Sequence, residues 1–284
     1  VAVVGATGRS GLALCRALQR AGTAFVPVVR DAARWTSCGL AIEPRVADLA
    51  DGAALMAALD GAGTVVSAAH AVWTASLIAA APSDAVFVLM GSARRFSRWP
   101  DSHGDGVRAG EGAFLAAVRR GVMVHPTLIY GRDGGGDVQR LAALLSRLPF
   151  APLPGGGRAL VQPIHQDDVT RCLIAAMGRR WDTAETIVIA GPRPVPYRDF
   201  VQAVAAAAGL RRPRLLPLPA PALQALARIG ALVPGLPRVG GDEIRRLTED
   251  KAFDIAAMRD LLGVVPIGLE EGLGITLGAH RHAA

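Results

Sequence analysis

The chain has 284 residues, one large domain or two unequal ones when set against roughly 100 to 200 residues per domain. Hydrophobic residues make up 51% and charged residues 19%, enough apolar surface to offset chain entropy, which excludes a disordered, collagen-like or mucin-like chain. The net charge of +7 comes from scattered arginines, with Lys251 the only lysine, so no basic stripe suited to nucleic acid is expected.

The first thirty residues are the most informative. Val1-Ala-Val-Val4 is a short apolar run, followed by Gly5-Ala-Thr-Gly8-Arg-Ser-Gly11 and then by Leu14, Ala17, Leu18 and Ala21 at helical spacing. This predicts strand, glycine loop, helix. A second apolar run, 24–29, completes a unit of about thirty residues, the size of one βαβ crossover. The alternation continues with helix over 53–59, strand over 64–69, helix over 71–81, strand over 85–90, helix over 111–118 and strand over 122–125. Such alternation predicts a parallel sheet covered on both faces, a doubly wound α/β fold.

After Tyr130 the texture changes. The glycine run of 133–137 predicts a loop, 138–148 an amphipathic helix, and 149–157 a second break rich in proline and glycine. Asp167 and Asp168 read as the cap of a helix over 169–177, and 186–190 as a strand. From Pro192 onward the sequence predicts helices punctuated by prolines. Residues 1–150 are therefore expected to form the sheet domain, with 164–190 returning to it. Residues 151–163 and 191–284 are expected to form a smaller, mostly helical substrate domain that closes over the sheet. No internal repeat is apparent.

Cys15, Cys38 and Cys172 match neither a disulfide framework nor a zinc cluster, and a reducing cytoplasm is the expected location. The best apolar stretch, 215–237, is broken by Gln224, Arg228, Gly230 and several prolines. A span of about 20 apolar residues is needed to cross a membrane, so none is expected. No basic segment followed by an apolar stretch precedes the first strand, and a secretory leader is not expected either.

A glycine loop between strand and helix suits a pyrophosphate for steric and electrostatic reasons together. The first glycine permits a tight turn, the second lets backbone approach the phosphates, and the third lets the helix pack closely. The helix start supplies free N–H groups and partial positive charge. Gly5, Gly8 and Gly11 fit these roles, with Thr7, Arg9 and Ser10 completing the loop. The residue after the second strand selects the dinucleotide: a carboxylate accepts from the ribose 2'-hydroxyl, whereas arginine prefers a 2'-phosphate. Val28-Val29-Arg30, with Arg34 one helical turn on and Arg9 in the loop, favours NADP(H). Asp31 is adjacent, so NAD(H) stays open.

These motifs, with Ala47-Asp48-Leu49, Ser67-Ala-Ala-His70, Gly91-Ser92, His125-Pro-Thr-Leu-Ile-Tyr-Gly131, Gln162-Pro-Ile-His-Gln-Asp-Asp168 and Leu261-Leu-Gly263 with Leu269-Glu-Glu-Gly272, carry a resemblance over most of the chain. The sequence resembles the extended and atypical branches of the short-chain dehydrogenase/reductase superfamily, which have a Rossmann fold. The resemblance is to the group with the NmrA-like proteins, the NAD-dependent epimerase/dehydratases and the complex I accessory subunit. It implies that Asp48 bonds the adenine amino group with Leu49 packed nearby, that Ala68, Ala69 and His70 line the ribose and nicotinamide side, and that the segment from Pro126 passes the nicotinamide.

The same resemblance calls for a YxxxK pair that this sequence lacks, since the only tyrosines are Tyr130 and Tyr197 and Lys251 is far downstream. Ser92 falls where the family's serine stands and is read either as a partner for a substrate carbonyl or as a cap of the following turn. His103, in the stretch Asp101 to Glu111 that replaces the pair, is read either as a proton donor or as a solvated loop histidine. Tyr130 is expected to pack rather than to act as an acid. His125 and His165 are each read either as satisfying a backbone carbonyl or as contacting substrate, His280 and His282 are tail residues, and no histidine pair has metal-ligand spacing with a carboxylate. Two readings follow: an NADP(H)-dependent oxidoreductase or epimerase-like enzyme on a small organic substrate, or a binder that uses NADP(H) structurally or as a redox signal. A monomer and a homodimer both remain open.

Overall fold

A computed structural model describes residues 1–99, 101–132, 136–148, 150–230 and 241–278. Its strands are β1 (Ala2–Val4), β2 (Val26–Val29), β3 (Arg45–Val46), β4 (Thr64–Ser67), β5 (Val86–Met90), β6 (Gly121–Pro126) and β7 (Ile129–Tyr130). There follow β8 (Phe150–Pro154), β9 (Leu160–Val161), β10 (Ile164–His165), β11 (Ala184–Ile189), β12 (Val195–Pro196) and β13 (Arg214–Leu218). The first six helices are α1 (Arg9–Arg20), α2 (Ala32–Thr36), α3 (Gly52–Leu59), α4 (Thr74–Ala80), α5 (Ser102–Ala116) and α6 (Asp137–Arg147). The rest are α7 (Gln166–Gly178), α8 (Tyr197–Ala207), α9 (Ala220–Gly230), α10 (Gly241–Arg246), α11 (Ala256–Leu262) and α12 (Leu269–Leu277).

Seven strands form one sheet in the order β11-β6-β5-β4-β1-β2-β3, and every pairing in it is parallel. The doubly wound α/β expectation holds. Side-chain alternation sorts the strands onto two cores, as a sheet buried on both faces requires. Val3, Val66, Val88, Val122 and Val124 join Leu14 and Leu18 of α1 and Val169 and Leu173 of α7. Their neighbours Val4, Val65, Phe87, Leu89 and Met123 face Leu55 of α3, Leu77 of α4 and Phe114 of α5. A third core gathers Val138 and Leu145 of α6, Leu153, Phe200 and Val204 of α8, and Leu273 of α12 around Tyr130. Tyr130 is fully buried there, as packing rather than acid chemistry requires.

Strand order reverses at β1, whose neighbours β2 and β4 lie on either side. The loops leaving β1 and β4 part there, which opens the crevice where doubly wound sheets bind ligands.

Three expectations need correction. The stretch read as a glycine and aspartate loop, 101–110, is the first half of α5, with the Asp101 carboxylate accepting from Gly104 N–H at 2.6 Å. Three glycines hid it by lowering local helix propensity. They are there for contact: a Cβ at Gly110 would lie 1.9 Å from the Ala71 carbonyl oxygen and one at Gly106 2.7 Å from the His70 ring. The stretch read as a break, 149–157, contains β8, which pairs in parallel with β13. The cap of α7 is His165, whose Nδ1 accepts from Asp167 N–H at 3.2 Å. Asp168 is buried within the first turn instead and accepts from Ile267 N–H at 2.8 Å.

The glycine run at 133–135 lies outside the described residues, as do Pro149, His280 and His282. Among the described residues no helix is long and apolar enough to cross a membrane.

Because the atom opposing a Cβ at Gly110 is backbone, Gly110→Ala cannot be absorbed by a rotamer change. It is expected to cost about 1–3 kcal/mol as overpacking, read as a lower urea midpoint with an unchanged slope. Gly112→Ala on the same helix, where a Cβ meets nothing within 4 Å, is expected to be neutral or slightly stabilising.

Candidate functional site

The glycine loop closes on itself before it meets any ligand. Gly5 takes φ +73°, a conformation open to glycine, and its carbonyl accepts from Gly8 N–H at 2.9 Å. A Cβ at Gly11 would stand 2.2 Å from that carbonyl oxygen, so α1 lies directly on the turn. Gly8 caps α1 with no side-chain hydrogen bond, and the first turn holds no acidic residue. The opening N–H groups of a helix have no intrahelical partner, so α1 begins as an uncapped donor end beside the reversal point of the sheet.

Ser10 Oγ donates to Gln166 Oε1 at 2.9 Å, which ties α1 to α7. Thr7 is half-buried in the loop and Arg9 is exposed. Arg30 and Arg34, after β2, are exposed as well. Between them Asp31 caps α2, its carboxylate accepting from Arg34 N–H at 3.1 Å. Asp48 is exposed and accepts from Ala50 N–H at 2.9 Å, while Leu49 packs partly on the second core. At the end of β4, Ala68 N–H donates to the Val4 carbonyl at 3.0 Å, and a Cβ at Gly5 would press on Ala69 N at 2.9 Å.

A cavity of about 610 Å³ opens from this crevice. It brings together the predicted residues Arg9, Ser10, Ala68, Ser92, His103 and Pro126. The three loop glycines, Thr7, Arg30, Arg34, Asp48, Leu49, Ala69 and His70 are not in its wall. The far wall comes from the third core and the C-terminal segment and includes Leu141, Tyr197, Phe200, Arg246 and Lys251. Among the described residues the cations of the lining, Arg9, Arg94, Arg140, Arg246 and Lys251, face one lining carboxylate, Asp137, which itself pairs with Arg140. The cavity therefore suits an anion.

Ser92 follows β5 and fills the capping role expected of it. Its Oγ accepts from Arg94 N–H at 3.2 Å, capping the short turn 93–96, and it lines the cavity with its hydroxyl proton available to donate. Beneath it lies a buried cluster. Ser92 N–H donates to His125 Nδ1 at 3.2 Å, His125 Nε2 stands 3.6 Å from Glu111 Oε1, and Glu111 pairs with Arg95. A Cβ at Gly91 would lie 2.4 Å from His125 Nδ1, so only glycine leaves room for this ring.

Sequence reasoning missed the C-terminal contribution. Asp101 accepts from Arg246 at 2.8 Å, and Lys251 Nζ donates to the Arg246 carbonyl at 2.8 Å. Burial lowers the Lys251 pKa against the opposing pull of Glu249. One signal was visible in the composition: thirty arginines against a single lysine, the long cation whose pKa burial shifts more readily. The lysine and one of the two tyrosines thus reach the cavity, from positions unrelated to the YxxxK spacing. Among the described residues no group of three or more metal-ligating side chains is present.

No protein-family model and no curated protein matches the chain. Solved structures do match. The crystal structure of gox2253 is 20% identical, covering 100% of this chain and 98% of that one at a TM-score of 0.75. The chain shares this fold. The UDP-glucuronic acid 4-epimerase from Bacillus cereus, in complex with UDP-glucuronic acid and NAD, is 16% identical over 100% of this chain and 99% of its own, with a TM-score of 0.73. PA4631, a nucleoside-diphosphate-sugar epimerase from Pseudomonas aeruginosa, is 20% identical over 100% and 97%, with a TM-score of 0.72.

The buried cluster predicts a pH response. Burial first, and then the Arg95 cation, push the His125 pKa down to about 4 from an ordinary 6.5, so the ring is neutral at pH 7. The unfolded chain then binds more protons than the folded one between those values. The stability held by the neutral ring is complete above pH 6.5 and is lost as pH falls toward 4, by roughly 3 kcal/mol. Glu111 acts in the opposite sense: burial raises its pKa against Arg95, so protonation near that raised value relieves the folded state. Urea midpoints measured from pH 7 to 4 are expected to fall, and His125→Asn, which keeps an acceptor for Ser92 N–H, is expected to flatten that fall.

Proposed function

We propose that the chain binds a nicotinamide dinucleotide across the carboxyl ends of β2, β1 and β4 and acts as an oxidoreductase or epimerase-like enzyme of the extended short-chain dehydrogenase/reductase type. Its substrate is a small anionic organic molecule held between the sheet and the third core, which serves as the smaller substrate domain. The observation that carries this reading is a single one: the uncapped start of α1, Ser92 and His103 all open onto one cation-lined cavity. The structures similar to this one that hold NAD support it.

The residues present suit such a cofactor. The α1 N–H groups and Arg9 would take the pyrophosphate, Asp48 and Leu49 the adenine, and Ala68, Ala69 and Pro126 the path toward the nicotinamide. Arg30 directly follows β2, and Asp31 is engaged in capping α2, an arrangement that supports a 2'-phosphate on Arg30 and Arg34 and hence NADP(H). When bound, the nicotinamide supplies hydride chemistry. This chain's own part is to orient the substrate and hold its charge. Arg94, Arg246 and Lys251 would take the substrate's anionic group, and the Ser92 hydroxyl would donate to its reacting oxygen.

A second reading, a binder without turnover, rests on the missing YxxxK pair. The two separate cleanly. Saturating NADPH is expected to raise the melting temperature in either case, by mass action equivalent to about 2.7 kcal/mol at a hundredfold excess over Kd. Oxidation of NADPH above background with a panel of anionic aldehydes and ketones, lost on Ser92→Ala, is expected only of the enzyme. Arg30→Asp is expected to weaken NADPH about tenfold or more while leaving NADH nearly unchanged, measured by cofactor fluorescence; equal losses would remove Arg30 from the site.

A further inference from the structure

The two histidines that flank the crevice form a pair whose protonation can be read from geometry. His70, just after β4, accepts from Val72 N–H through Nδ1 at 3.1 Å. A nitrogen that accepts carries no proton, so the His70 proton sits on Nε2. That Nε2 lies 3.0 Å from His103 Nδ1, with the rings edge to face at 89° and centroids 4.3 Å apart. Of these two nitrogens one must donate, and His70 Nε2 is the one with a hydrogen. His103 Nδ1 therefore accepts, and the His103 proton is left on Nε2. A third proton has no place between the rings unless one of these two hydrogen bonds breaks.

The pair is held from both sides. His70 belongs to the turn against which α5 lies, where Gly106 leaves room for the His70 ring and Gly110 for the Ala71 carbonyl. His103 stands in the first turn of α5 and lines the cavity with Ala68, Ser92 and Pro126. The groups facing His103 are the His70 ring, Arg94 from the turn after β5, Asp101 at the start of α5, and Arg246 of α10. Burial, the His70 ring and the two arginines all disfavour a charged ring, and Asp101 alone opposes them.

We propose that His103 is a catalytic residue that works as a neutral imidazole, its Nε2–H donating to the substrate carbonyl oxygen, with His70 as the positioning residue that fixes its tautomer. This rests on the functional reading above and supplies the group that stands in for the absent tyrosine. In the reduction direction, hydride from a reduced nicotinamide dinucleotide forms a C–H bond at the carbonyl carbon. The C=O π pair moves to oxygen, where the Nε2–H and the Ser92 hydroxyl hold the developing charge. Water supplies the proton that completes the hydroxyl, and the dinucleotide leaves oxidised by two electrons. A neutral imidazole polarises without giving up its proton, so the rate is expected to hold from pH 8 to 7 and to fall only as acid protonates His103.

Long-range ¹H–¹⁵N spectra of histidine-labelled protein test the tautomer without any substrate. At pH 7 His103 is expected to be neutral with its proton on Nε2, and His70 to show Nδ1 as the unprotonated acceptor of Val72 N–H, each assigned from its single Gln variant. An Nδ1-protonated or cationic His103 overturns the proposal, whatever the activity. Kinetics then test the role. His103→Leu is expected to lower kcat about 100-fold. His70→Leu is expected to lower it about tenfold with KM and dinucleotide Kd within twofold, and His70→Gln, whose amide N–H can still donate to His103 Nδ1, is expected to recover most of the loss. An unchanged kcat in His70→Leu, or a failure of His70→Gln to recover any of the loss while it folds and binds the dinucleotide, overturns the positioning role. A wild-type protein with the expected ring spectra that takes up no dinucleotide overturns the functional reading and, with it, the catalytic role of the pair.

Discussion

The contact on which the architecture turns is backbone against backbone. A Cβ at Gly11 would fall 2.2 Å from the Gly5 carbonyl oxygen, so α1 can sit on the β1 turn only while position 11 lacks a side chain, and Gly5 in turn holds its positive φ with a Cβ position 2.9 Å from Ala69 N. The uncapped end of α1 is thereby brought to the point where strand order reverses. The same principle recurs at Gly110 over Ala71 and at Gly121, whose Cβ would lie 2.0 Å from the Phe87 carbonyl oxygen. In each case a helix or strand is seated by removing atoms rather than by adding contacts. Helix propensity is surrendered for placement.

That exchange explains what could be read in the sequence and what could not. The sheet was legible because its strands alternate with helices of clear period, and because glycines at 5, 8 and 11 fall between the first of each. The start of α5 was not, since glycines 104, 106 and 110, needed for close approach, depress the signal by which helices are recognised. His103 was consequently read as a residue of a loop although it stands on a capped first turn. Ser92, read either as a cap or as a partner for substrate, caps the following turn and lines the cavity. The cation-lined far wall was out of reach for a different reason: Arg246 and Lys251 meet Arg94 and Asp101 across about 150 positions of sequence, and no local pattern encodes such a meeting. Similarly, β8 and β13 are two-sided only through each other, and neither carries an alternation of its own.

Electrostatics and burial cooperate in the site. Arginines supply permanent charge, while the groups able to change charge, His103, His125 and Lys251, are all partly or fully enclosed and all shifted toward their neutral forms. The result is a cavity whose permanent positive charge comes from guanidinium groups.

The Glu249 carboxylate accepts from Ser97 Oγ at 2.8 Å and from Arg98 N–H at 2.7 Å, and Arg246 reaches Asp101. These links sew the segment after β5 to the stretch that carries the lone lysine. The parts of the cavity wall that carry Arg94 and Arg246 are in this way joined by direct contact, with Asp101 lying against both. The wall that carries Arg246 and Lys251 is therefore fastened to the sheet by carboxylates, Asp101 and Glu249, that stand behind the cavity lining rather than in it.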